Sequence, residues 1–218
     1  MRVLSMLFIA VLFSLLSSTA HANAFQKKAW DIYSQAQLES EISFYTFAKG
    51  YLEYLKHGRK PILSIIDYTL PSSFPRMWII DLAEKRLVKR TYVSHGTNSG
   101  TLFATEFSNT INSKQTSLGT YRGAEVYYGK HGRSLRLDGL SEGNNNARKR
   151  AIVIHGADYA NPDVITKIGM LGRSLGCPAV PSEDTNVVVD YLKDGATIYT
   201  LSNLDNPYLL AKNNSGFE

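Results

Sequence analysis

Ile62-Leu63-Ser64-Ile65-Ile66 and Met77-Trp78-Ile79-Ile80 decide the fold. Both runs are short, apolar and rich in β-branched residues, which is the composition of strands. Asp81-Leu82-Ala83-Glu84 then reads as a turn into a third strand over Leu87 to Val93. Gly123 to Tyr128, Ser134 to Leu137, Ala151 to His155 and Ala196 to Leu201 repeat the pattern. Short strands broken by Gly, Asn and Ser predict a mostly antiparallel β domain. One helix is expected near its end, over Asp184 to Lys193, closed by Gly195. Residues 96–120 are rich in Ser, Thr, Gly and Asn and predict a long functional loop.

Working back toward the N-terminus, Phe25 to His57 reads as helical. Ile42, Tyr45, Ala48, Leu52 and Leu55 recur at steps of three and four, which predicts one apolar face. Ser40 is the expected N-cap, Gly58 follows the last turn, and Pro61 forbids continuation. Residues 1–22 read as a secretory leader. Arg2 precedes an apolar run from Val3 to Leu16, and Ala20-His21-Ala22 supplies small residues for cleavage. The run is short for crossing ~30 Å of hydrocarbon, which takes about 20 residues. The expectation is export to the periplasm with no stable membrane insertion after cleavage. Residues 207–218 read as a loose tail.

The chain has 218 residues and a formal charge of +5. A mildly basic surface suits anionic surroundings such as wall polymers or lipid headgroups. No basic stripe with interleaved aromatics argues for nucleic acid. No pair of histidines has metal-ligand spacing, so neither a metal nor another cofactor is expected.

Cys177 is the only cysteine. In an exported protein a lone thiol is buried and inert, paired between chains, or reactive. It stands in Gly172-Arg173-Ser174-Leu175-Gly176-Cys177-Pro178, a segment without helical or strand period. Glycines let a backbone bend sharply, so the setting favours a presented thiol over a packed one. A thiol with pKa ~8.5 is mostly protonated at neutral pH and needs a base. His95, His131 and His155 each precede a glycine, and any of them could serve. His155 ends a convincing strand, which holds a side chain more firmly than a loop does.

Ile154-His155-Gly156 followed by Ser174-Leu175-Gly176-Cys177 resembles the signature of the L,D-transpeptidase (YkuD-like) catalytic domain. Val93-Ser94-His95-Gly96, Phe107-Ser108-Asn109, Ser117-Leu118-Gly119 and Gly129-Lys130-His131-Gly132 are similar to its divergent murein L,D-transpeptidase branch. Leu175 departs from the main branch, which has a histidine there, and Pro178-Ala179 replaces a polar follow-up. The resemblance implies an α+β, mainly β fold. An antiparallel sandwich or barrel-like catalytic domain would occupy residues 60–206, after a helical segment at 23–59.

It also implies a peptidoglycan stem peptide as partner. The Cys177 thiolate would attack a stem-peptide amide, a D-amino acid would leave, and an amine would resolve the thioester. His155 would act as acid and base, oriented by the Gly156 carbonyl. Gly176 and Cys177 N–H groups would form the oxyanion site, and Arg173 and Ser174 would line the substrate pocket. Family members typically accept carbapenems. Water as acceptor would give an L,D-carboxypeptidase with the same pair. A non-catalytic wall-binding domain would not need the pair. A papain-like protease runs Cys before His, the opposite order. The sequence leaves the oligomeric state open.

Overall fold

Strand β1, Ile62–Asp67, is buried along its whole length. Its two faces look into two different cores, Ile62 and Ile66 into one, Leu63 and Ile65 into the other. The run does not alternate with polar residues because neither face meets water. The structure, a computed structural model, describes residues 22–203. The expected leader apart from Ala22, and the expected tail, lie outside the described residues.

The other strands are β2 (Met77–Asp81), β3 (Arg86–Thr91), β4 (Gly119–Gly129), β5 (Gly132–Gly139), β6 (Val153–Gly156), β7 (Ala179–Val180) and β8 (Thr197–Leu201). All eight form one sheet in the order β3-β2-β1-β8-β4-β5-β6-β7. The pairs are antiparallel except β1 with β8 and β6 with β7. The Ser94 N–H, just past β3, donates to Ala179 O of β7 at 2.8 Å. That bond ties the two ends of the sheet together into a nearly closed, barrel-like wall.

Helix α4, Thr185–Leu192, supplies Val188, Val189 and Leu192 to the inner core, with Ile66, Met77, Leu135, Ile154 and Ile198. Each such side chain withdrawn from water contributes about 1.5–3 kcal/mol. Asp184, just before α4, accepts from the Thr91 hydroxyl and pairs with Lys89 at 2.5 Å, so α4 is fastened to β3.

The N-terminal helical region is two helices, α1 at residues 22–35 and α2 at Phe44–His57. The chain between them turns through Gln37 at φ 54°. The N-cap of α2 is Ser43 rather than Ser40, and its hydroxyl accepts the Thr46 N–H at 3.1 Å. The expected apolar face is also overturned. Tyr45, Leu52 and Leu55 are 53%, 43% and 51% exposed, and Phe47, Gly50 and Tyr51 are buried instead. The backbone decides between the two stripes. At Gly50 the helix runs so close to β1 that a Cβ would lie 2.8 Å from Ile65 Cδ1. Phe47 and Tyr51 then stack on each other and reach Tyr33 and Phe25 of α1.

A short helix α3, Pro162–Ile168, and strand β7 were not expected. Helix α3 buries none of its side chains, so it carries no apolar stripe to read. Strand β7 is only two residues long.

Candidate active site

The strand register brings the two motif segments together. Strand β6 runs parallel to β7, with His155 opposite Ala179. Cys177 lies two residues before Ala179, in the bend that leads into β7. His155 and Cys177 line one cleft of about 510 Å³, with Lys130, His131, Arg150 and Tyr159 around them.

The Cys177 turn is held from several directions. The Ser174 N–H donates to His95 O at 2.9 Å, and the Thr97 N–H donates back to Ser174 O at 2.8 Å. The Ser94 hydroxyl donates to Gly172 O at 2.8 Å. Inside the turn the Ser174 hydroxyl donates to Cys177 O at 2.6 Å and accepts the Gly176 N–H at 3.0 Å. Ser174 is thus engaged in shaping the turn. Gly176 has φ +120°, where an L side chain is strained, and a Cβ would stand 2.8 Å from Gln115 O. Arg173 lines the cleft, and its guanidinium donates to Gly100 O at 3.0 Å.

The thiol lies 3.7 Å from Ala151 O. Burial pushes its pKa up, opposed by a backbone hydrogen bond from Val153 and by the charges of Arg150 and Lys130. Burial wins, so the resting sulfur is protonated at neutral pH. His155 Nδ1 lies 2.9 Å from Gly156 O. A carbonyl only accepts, so Nδ1 carries the proton and Nε2 keeps its lone pair. Burial lowers the His155 pKa, the Gly156 bond raises it, and His131 and Lys130 lower it further. The cleft therefore holds a neutral thiol and a neutral imidazole.

Arg150, at the back of the turn, donates to Ser108 O at 2.7 Å and also to Gln115 O, so it pins loop 96–120 against Gly176. His95 lies behind the turn, 1% exposed. Its Nδ1 is 2.8 Å from an Nη of Arg76, which is itself fully buried and donates to Leu70 O and Val93 O. His131 stacks on His155 with ring centroids 4.1 Å apart. Sequence reasoning missed Arg150, whereas His131 was among the histidines it offered for the site. Lys130-His131 between two strand candidates did carry a hairpin pattern that would have placed it at a sheet end.

The sequence matches the family model for the L,D-transpeptidase catalytic domain over residues 35–201. The chain belongs to the L,D-transpeptidase catalytic-domain family. The match begins within the helical region, so α2 lies inside the family domain. No curated protein matches the chain. Solved structures that resemble it include an L,D-transpeptidase from Mycobacterium smegmatis, at 12% identity, TM-score 0.40, covering 65% of this chain and 58% of that one. Another, from Xylanimonas cellulosilytica, shares 14% identity at TM-score 0.38 and covers 69% and 68%. The L,D-transpeptidase LdtMt1, solved in complex with imipenem, shares 10% identity at TM-score 0.39 and covers 63% and 57%. The chain thus spans less than two thirds of the length of the first and last of these.

Proposed function

We propose that this protein is a periplasmic, cysteine-dependent peptidoglycan L,D-transpeptidase that forms a thioester on stem peptides. The observation that supports this most is the single cleft lined by both Cys177 and His155, built where the Cys177 turn leads into β7 beside β6.

His155 Nε2 takes the thiol proton as sulfur attacks an amide carbonyl carbon. The S–C bond forms, and the C–N bond of the leaving D-amino acid breaks. That amine takes the proton from His155. An acceptor amine then loses a proton to His155, attacks the thioester and expels the sulfur, which is reprotonated. The Cys177 N–H is our candidate donor to the oxyanion. The Gly176 N–H joins it only by leaving Ser174 Oγ. Arg173 offers a guanidinium to a stem-peptide carboxylate at the cleft mouth. Lys130 and Arg150 support negative charge at sulfur during attack. Water in place of the amine would give carboxypeptidase activity from the same residues.

The test is incubation of the mature protein with purified wall fragments, followed by mass spectrometry of the products. Cross-linked stems should form with the wild type, and Cys177→Ala should abolish them. Imipenem should leave an acyl group on Cys177, absent in Cys177→Ser, by intact-protein mass spectrometry. Cross-linking that survives Cys177→Ala overturns the reading.

A further inference from the structure

We propose that His131, at the tip of the β4–β5 hairpin, is a positioning residue that fixes the ring plane of His155. The proposal rests on the reading of His155 as the base.

His155 is held through one nitrogen, by the Gly156 carbonyl at 2.9 Å. One hydrogen bond leaves an imidazole free to rock about that contact. The face of the ring is covered by His131, at 4.1 Å between centroids and 19° between planes. Tyr159 meets it edge-on at 6.5 Å. His155 is 2% exposed although it lines an open cleft, while His131 above it is exposed. His131 is therefore a roof over the base. The roof is short-tethered. Lys130 and His131 form a two-residue turn, and the flanking Gly129 and Gly132 pair across the hairpin.

The charged and titratable groups facing the stack are Lys130 on the hairpin, Tyr127 on β4, Arg133 on β5, Tyr159 after β6, Cys177 on the turn, and Arg150 and Arg173 across the cleft. No carboxylate lines the cleft among the described residues. An imidazolium at His155 would thus find one carbonyl in its favour, with Lys130 and a protonated His131 against it. Stacking selects the neutral ring, the form with a lone pair for the thiol. His131 shares that bias, since burial and then Lys130 lower its own pKa.

The experiment compares wild type, His131→Phe, His131→Ala and His155→Ala as mature chains. The readout is the rate of Cys177 alkylation by iodoacetamide from about pH 4.5 to about pH 9, with near-UV circular dichroism checking the fold. His131→Phe keeps a flat roof and should stay within about threefold of wild type at neutral pH. His131→Ala should slow alkylation about tenfold and move the acid limb upward, toward the ordinary histidine range. An Ala profile that coincides with wild type overturns the proposal, as does equal impairment in Phe and Ala. If His155→Ala itself leaves the profile unchanged, the fault lies in the reading of His155 as base.

Discussion

Gly176 joins the turn, the loop and the thiol through a single backbone conformation. Its φ of +120° costs an L residue about 1–3 kcal/mol, and any Cβ would meet Gln115 O at 2.8 Å and Arg150 at 3.2 Å. Gly176→Ala should therefore lower stability by about that amount and displace Arg150 or the sulfur. We expect slower alkylation of Cys177 together with a lower urea midpoint. Unchanged values of both would mean that the turn tolerates a side chain. This residue was readable in the sequence because glycine before a Cys-Pro pair has few uses other than a sharp bend. Arg150 was not readable in the same way. Its partners Ser108 and Gln115 lie about 40 residues away in the chain, and only folding brings them to it. Leu175 shows the reverse case. Its departure from the family pattern was visible at once, while its place, 64% exposed on the cleft wall, was not.

Among the elements, α2 poses the sharpest choice, because two apolar stripes share one helix. Gly50→Ala should raise helix propensity by about 1 kcal/mol and force Ile65 or the helix to move, which costs about 1–3 kcal/mol. The net expectation is destabilisation, seen as a lower thermal midpoint. Leu52→Lys, on the exposed stripe, should change stability by less than about 0.5 kcal/mol. The opposite ranking would mean that the helix packs through the Leu52 face. Periodicity alone could not separate the stripes, since Tyr45-Ala48-Leu52-Leu55 and Phe47-Gly50-Tyr51 both satisfy helical spacing. Strands such as β1 and β2 were legible because burial on both faces leaves a nearly continuous apolar run. The β6–β7 pairing that builds the cleft rests on a two-residue strand, which leaves almost no trace in composition.

Across the whole molecule, the wall closes over buried polar groups, and this makes stability depend on pH. His95 lies against Arg76, whose guanidinium donates to Nδ1, so the neutral imidazole is the form that fits. Nε2 is buried and forms no hydrogen bond of good geometry. Burial first, and Arg76 second, bring its pKa down from 6.5 to about 4. The sign follows from proton counts. Between pH 6.5 and about 4 the unfolded chain binds a proton at this position that the folded chain refuses. Stability is full above pH 6.5 and falls as the solution is acidified through that window. The loss from His95 alone amounts to about 3 kcal/mol at 1.36 kcal/mol per pKa unit. His155 and His131, both lowered by burial, act in the same direction. His95→Asn separates the terms, because its amide oxygen can still accept from Arg76 but does not titrate. Urea unfolding at about pH 7 and about pH 4.5 is the measurement. The wild type should lose more stability between the two than the Asn variant does. Equal losses would place the acid sensitivity elsewhere and remove the buried His95–Arg76 pair as its source.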